Sequence, residues 1–156
     1  MYLIKKYLPT IFLIRRFVYL VHLIFFSSKS LIMENINIAG TLKTPTIKSD
    51  PHQGIIEIKG RSNPENSVLF YKPLLEWLVE YAKEPAEKTV IHVQLEHFNT
   101  SSSKCILEVF KKLEAIKKSD HDVLVNWYYE KNDEDILEAG ENYEAMASIP
   151  FKMVPF

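Results

Sequence analysis

Glycine is scarce in this sequence. Only Gly40, Gly54, Gly60 and Gly140 occur among 156 residues, and no two are close enough to wrap a phosphate with successive backbone N–H groups. That excludes the Gly-rich signatures of dinucleotide and P-loop binding. Cysteine is scarcer still. Cys105 stands alone, which rules out an internal disulfide and any zinc site built from cysteine pairs. A reducing compartment is compatible with that usage. Acid is missing from residues 1–32, which hold Lys5, Lys6, Arg15, Arg16 and Lys29. The net charge of −1 therefore hides +5 in residues 1–32 and −6 in residues 33–156. An acidic domain gains nothing from counterion release at a phosphate backbone, so the sequence argues against direct nucleic-acid binding.

A long uninterrupted apolar run is also missing. Arg15 and Arg16 break the amino-terminal segment, and the clean run 17–26 is short of the roughly 20 residues a bilayer requires. A signal peptide fits better, with basic residues, an apolar stretch and then Ser27, Ser28 and Ser30. The favoured expectation is that residues 1–32 are a non-domain extension and that translation starts at Met33. The segment is dominated by Phe, Ile, Leu, Tyr and Lys, the residues that A/T-rich codons spell. Residues 33–156 have the length of one domain. With 47% apolar and 12% aromatic residues overall, the chain can bury a core and does not have a disordered composition.

From Met33 onward the periodicity alternates between two types. Ile36–Ile38 is a short alternating segment, and Asp50-Pro51-His52-Gln53-Gly54 has turn composition ahead of a strand at 55–59. Asn63-Pro64-Glu65 carries a helix-start signature. Residues 68–83 then place Leu69, Leu74, Leu75, Leu78 and Tyr81 at helical spacing, with a kink or late start expected at Pro73. Residues 89–95 alternate as a strand covered on one face. Residues 102–118 form an amphipathic helix with Ile106, Val109, Phe110, Leu113 and Ile116 on its apolar stripe. Glu108–Lys112 and Glu114–Lys118 are favourable i,i+4 pairs on its exposed side. A strand at 122–129, an acid-started helix at 132–143 and an edge strand at 151–154 close the chain. The fold class is α/β: a single domain with a mixed β-sheet and helices mainly on one face.

The most unusual local feature is Phe98-Asn99-Thr100-Ser101-Ser102-Ser103-Lys104, four hydroxyl residues between a strand end and a helix start. One hydroxyl capping the helix would explain part of it. A regulatory phosphorylation site would explain the rest, because a phosphate there meets free N–H donors and a favourable dipole, with Lys104 nearby. His92 and His97, five apart on a strand, should point to opposite faces, and His52 and His121 lie in turns, so a metal site is unmotivated. Cys105 borders the buried stripe, where cysteine acts as a small apolar residue, and no nucleophile elbow surrounds any serine. In Asn126-Trp127-Tyr128-Tyr129, Trp127 and Tyr129 are expected in the core and Tyr128 outside.

Four stretches in order, Asn37-Ile38-Ala39-Gly40-Thr41, Gly60-Arg61-Ser62-Asn63-Pro64-Glu65-Asn66, the Phe98–Lys104 stretch and Asn126–Tyr129, resemble the SiaC family of bacterial regulatory phosphoproteins. The likeness spans essentially residues 33–156. It implies a STAS-like fold, similar to anti-sigma factor antagonists, and no catalysis or cofactor. It further implies a cytoplasmic switch in which Thr100 is phosphorylated by a dedicated kinase and dephosphorylated by a phosphatase. The unphosphorylated form would bind and activate a diguanylate cyclase, controlling cyclic di-GMP signalling and biofilm formation, without a membrane or nucleic-acid partner. Asn99, Ser101, Ser102, Ser103, Lys104 and Tyr128 are the candidate partner-contacting residues. An anti-sigma factor as the bound partner is the alternative within this class. A small metabolite-binding protein or enzyme is the alternative outside it, and would need a set of converging titratable groups.

Overall fold

The computed structural model describes residues 33–156; the expected extension 1–32 lies outside the described residues. The elements run β1 (Asn37–Ile38), β2 (Thr46–Asp50), β3 (Ile55–Ser62), α1 (Ser67–Tyr81), β4 (Lys88–Phe98), α2 (Thr100–Lys118), β5 (Asp122–Tyr129), α3 (Glu134–Met146) and β6 (Phe151–Pro155). They form one six-stranded sheet whose spatial order is the chain order, β1-β2-β3-β4-β5-β6. The first three strands are antiparallel, as the Asp50–Gly54 turn predicts; Asp50 Oδ1 accepts from the N–H groups of His52 and Gln53. From β3 onward every neighbour is parallel, and each connection crosses through a helix. Right-handed crossovers that keep advancing in one direction must lay all their helices on the same face. The mixed sheet with helices on one face is therefore a consequence of its own strand order.

The core lies between that face and the helices. Ile56, Ile58, Ile91, Val93, Val125 and Trp127 look up from the strands, all fully buried. They meet Tyr71, Leu74 and Leu78 of α1 and Ile106, Val109, Phe110, Leu113 and Ile116 of α2, also fully buried. The α2 stripe is the one its 3.6-residue spacing predicts. α3 closes the far side, and Gly140 lets it approach closely. A Cβ there would stand 2.5 Å from Trp127 Cδ1, while the Trp127 indole N–H donates to the Ile136 carbonyl over 2.8 Å.

Several boundaries differ from the sequence expectation. α1 starts later than Asn63, because Asn66 is its cap and accepts from the Leu69 N–H over 3.0 Å. It also continues without a break through Pro73, so there is no late start. The carbonyl that Pro73 cannot serve is that of Leu69, an exposed position where water can satisfy it. Leu69 is not in the core, being 66% exposed; Tyr71 and Trp77 occupy the buried stripe instead. Glu114 is not on an exposed face either. It is buried, and accepts from both Lys111 and Lys118. No ion pair joins Glu108 to Lys112 among the described residues.

β3 does not stop at Gly60 but continues to Ser62. Gly60 adopts φ +111, open to glycine and strained for other residues, and the ladder with β4 shifts register beside it, skipping Glu96. The bulge changes the phase of the strand end. Phe98 packs toward Trp127 and Tyr143, so His97 falls on the same side of the sheet as His92 instead of the opposite one.

Candidate functional site

The hydroxyl-rich stretch begins where β4 ends, and its geometry is set by Asn99. This residue, with φ −83 and ψ 167, is the N-cap of α2. Its side-chain Oδ1 accepts from the Ser102 N–H over 2.7 Å, and its carbonyl accepts from the Ser103 N–H over 2.9 Å. The cap is thus an asparagine and not one of the hydroxyls; asparagine and serine are equally good at this position. Two free donors remain. The N–H groups of Thr100 and Ser101 have no protein acceptor among the described residues, as expected of a first helical turn. Thr100 itself is the first residue of α2 and is exposed.

Behind Asn99 lies a buried hydroxyl network drawn from three elements. Ser62 at the end of β3 donates to Ser102 over 2.8 Å and shares a second 2.8 Å bond with the Tyr71 phenol. Ser67, the first residue of α1, lies 3.1 Å from Ser102 and reaches Asn99 Oδ1 at 3.4 Å. Ser62, Ser67 and Ser102 are all buried, and no buried side-chain polar atom is left unpaired among the described residues. The Asn99 amide donates in turn to Asn63 Oδ1 over 2.8 Å. The Asn63 N–H is held by the Lys43 carbonyl at 2.7 Å. The amino-terminal ends of α1 and α2 are therefore tied together through Ser67, and the positive end of the α2 dipole lies at Thr100.

Burial sets the titration of the surrounding groups. Desolvation pushes the Tyr71 phenol well above its ordinary value, although the Ser62 hydrogen bond works the other way. Tyr143 is pushed up to about 12 by burial, although its bond to Ser103 works the other way. Its phenol donates to Ser103 Oγ over 2.9 Å, so α3 buttresses the first turn of α2. Burial also raises the Cys105 thiol, with Glu108 adding to the effect, which removes it further from nucleophilic use. Among the described residues, no three His, Cys, Asp or Glu side chains are grouped to hold a metal ion.

The structure brings together most, but not all, of the candidate residues. Thr100, Ser101 and Lys104 share the exposed start of α2. Ser102 has no exposed surface and so offers nothing to a partner; its hydroxyl belongs to the network beneath. Ser103 is half-buried against Tyr143. Tyr128 is not part of this cluster. It lies on the helix-free face of the sheet, half-buried, with its phenol 3.0 Å from His92 Nδ1. Tyr129, expected in the core, is likewise half-buried. Two exposed apolar residues are not evident as such from the sequence: Val68 and Leu69, 67% and 66% exposed on the first turn of α1. The start of α1 is tied to the α2 cap by the Ser67–Asn99 bond, and Asn63 by the Asn99–Asn63 bond, which no local pattern announces.

Residues 38–156 match the family model described as SiaC family regulatory phosphoprotein. The chain belongs to the SiaC family. An uncharacterized protein of Pseudomonas aeruginosa (strain UCBPP-PA14) is 28% identical over 119 residues, covering 76% of this chain and 94% of the relative. Among solved structures, SiaC of Pseudomonas aeruginosa superposes with a TM-score of 0.73 at 26% identity, over 80% of this chain and all of that one. A second match, also at a TM-score of 0.73 and 26% identity, comes from the crystal structure of the diguanylate cyclase SiaD in complex with its activator SiaC. It covers 78% of this chain and 99% of the matched one. As a SiaC-family domain, this chain is a regulatory phosphoprotein on an α/β scaffold of the SiaC type. No described helix is long and apolar enough to cross a membrane.

Proposed function

We propose that this chain activates a diguanylate cyclase by direct binding and that phosphorylation of Thr100 switches the contact off. The observation that carries the reading is the family membership together with the position of Thr100: an exposed hydroxyl on the first turn of a helix that holds two free N–H donors. The chain performs no catalysis of its own. It is the substrate of a kinase and a phosphatase, a ligand of the cyclase, and it works in the cytoplasm.

The mechanism is electrostatic and apolar together. Val68 and Leu69 give the unmodified domain an exposed apolar edge on the first turn of α1, the helix whose Ser67 reaches the Asn99 cap. Burying two such side chains in a partner contributes roughly 1.5–3 kcal/mol each. A phosphate on Thr100 adds about 1.5–2 negative charges at the start of α2. The free N–H groups of Thr100 and Ser101 and the Lys104 ammonium one turn on can hold it in place. The residues from 33 on already carry −6, so the added charge deepens repulsion toward an acidic partner and raises the desolvation cost toward an apolar one.

The test is cyclase output measured with purified cognate cyclase and either the unmodified chain or its Thr100→Glu variant. The unmodified chain should raise cyclic di-GMP formation and the variant should not. Equal stimulation by both would remove Thr100 from the mechanism, and stimulation by neither would remove the cyclase.

A further inference from the structure

The residues on either side of Thr100 are committed to the fold. β4, which leads into it, is an inner strand with β3 on one side and β5 on the other. Phe98 is in register with Ser62, and the Asn99 N–H donates to the Ser62 carbonyl over 3.0 Å. From Thr100 the chain is helical at once. The Ser102 N–H is held by Asn99, the Ser102 hydroxyl accepts from Ser62, and the Ser103 hydroxyl accepts from Tyr143. An enzyme that reads a linear motif needs such flanking residues free to lie extended along its cleft. Here that would draw an inner strand out of the sheet, and core strands open only at close to the full cost of unfolding.

The stretch itself also offers little to hold. From His97 to Lys104 only His97, Thr100, Ser101 and Lys104 are exposed. A specific protein contact draws on about 20–30 residues a side, so most of the contact must come from elsewhere. The neighbours are fixed by bonds from other parts of the chain. Arg61, exposed at the end of β3, is in register with His97. Asn63, also exposed, accepts from the Asn99 amide over 2.8 Å. Its N–H donates to the carbonyl of the exposed Lys43 over 2.7 Å. Lys43 belongs to a closed turn, in which the Thr41 hydroxyl accepts from the N–H groups of Lys43 and Thr44. Three segments, 41–44, 61–63 and 97–104, are thus joined through Asn63 and Asn99.

We propose that the kinase acting on Thr100 recognises the folded domain through this three-segment surface, and not the sequence around the threonine. The inference rests on the reading of Thr100 as a phosphorylation site and adds how its enzyme finds it. In the transfer, the Thr100 hydroxyl oxygen bonds to the γ-phosphorus of a nucleoside triphosphate and the bond from that phosphorus to the bridging oxygen breaks. The nucleoside diphosphate leaves, and the hydroxyl proton passes to a base on the kinase. Only the hydroxyl has to enter the kinase active site, and Thr100 is exposed on a helix start that can stay folded while it does. Arg61, Asn63 and Lys43 supply contact around it. A chain in which these segments have not met is not a substrate, although its sequence is complete.

The experiment compares the full chain with a synthetic peptide of residues 94–107. The kinase is the one purified from the source cells by following transfer from radiolabelled ATP to Thr100 of the full chain. Its kcat/KM for the peptide should be lower by about a hundredfold or more. The contact is read by amine acetylation and mass spectrometry on the full chain, alone and with the kinase and an ATP analogue whose β–γ link cannot be cleaved. Lys43 and Lys104 should lose reactivity about tenfold, while Lys117, about 25 Å along α2 from Thr100, keeps its own. The proposal is overturned by a peptide phosphorylated as fast as the full chain, or by Lys104 shielded with Lys43 as reactive as before. Equal shielding of Lys117 would also overturn it, as coverage without selectivity. If no fraction transfers phosphate to Thr100 of the full chain, the phosphorylation reading itself falls, an outcome distinct from the others.

Discussion

Ser62 and Ser102 lie 40 residues apart in the chain, yet the hydroxyl of the first donates to that of the second over 2.8 Å, both fully buried. The bond clamps the end of β3 to the first turn of α2 inside the core. Its value lies less in the bond formed than in the groups that would be stranded without it. Ser62→Ala would leave the buried Tyr71 phenol with no partner, at a cost of about 1–3 kcal/mol. Ser102→Ala leaves Ser62 still bonded to Tyr71 and should cost less. Urea denaturation of the two variants checks the order.

Asn99 satisfies two helix N–H groups and positions Thr100 after it. Asn99→Ala should destabilise the domain by about 0.5–2 kcal/mol, the ordinary range for a lost cap. Asn99→Asp keeps the acceptor but removes the amide that reaches Asn63. It should retain most of the stability while loosening the link to the Lys43–Asn63 segment. Thermal denaturation separates the two variants, and hydrogen exchange at Asn63 reports the loosened link.

Replacing Thr100 separates stability from function. A negative charge at the first position of α2 meets the helix dipole favourably, so Thr100→Glu should stabilise the isolated domain by about 0.3–1 kcal/mol. The same change should abolish stimulation of the cyclase. A denaturant midpoint that rises while activation disappears is the expected pair of results; a midpoint that falls would mean that the helix start is misplaced.

The charged ends of Lys118 and Lys111 hold the Glu114 carboxyl at about 2, below its ordinary 4.5. Because the folded value is the lower one, the stabilisation is complete above the ordinary value and is lost as pH falls through about 2. Glu114→Gln should therefore flatten the decline of stability on acidification. The urea midpoint followed from about pH 5 down to pH 2 in both proteins measures it.

Gly140 faces the Trp127 ring with no room for a methyl group. Gly140→Ala should push α3 outward at a cost of about 1–3 kcal/mol. Trp127 is fully buried, so its fluorescence should move to longer wavelength if water reaches the opened seam.

Much of this fold can be read from the sequence, for physical reasons that also mark where the reading stops. The alternation of Ile91, Val93 and Leu95 and the stripe from Ile106 to Ile116 are local periodicities, and the structure buries those residues. The hydroxyl stretch stands out in the sequence because four such residues in a row are rare. Its roles do not, because they depend on contacts across the sheet: Ser102 faces Ser62 and Ser67, while Thr100 faces solvent. Periodicity puts Leu69 on the wrong side because a helix pattern gives spacing without phase, and Tyr71 and Trp77 set the phase of α1. The bulge at Glu96 hides the side that His97 takes, since one skipped residue reverses every later assignment on the strand.

The unreversed strand order also bears on how the domain is made. Each strand pairs with the one synthesised just before it, so no contact in the sheet waits for a distant part of the chain. Ser62, Ser67, Asn99, Thr100 and Ser102 all belong to the stretch from β3 to α2 and are joined without help from β5, α3 or β6. A nascent chain that has emerged as far as Lys118 already contains every member of that network. The threonine could therefore be set on its helix while the ribosome is still adding the last strands, with Tyr143 arriving afterwards to lock the turn through Ser103.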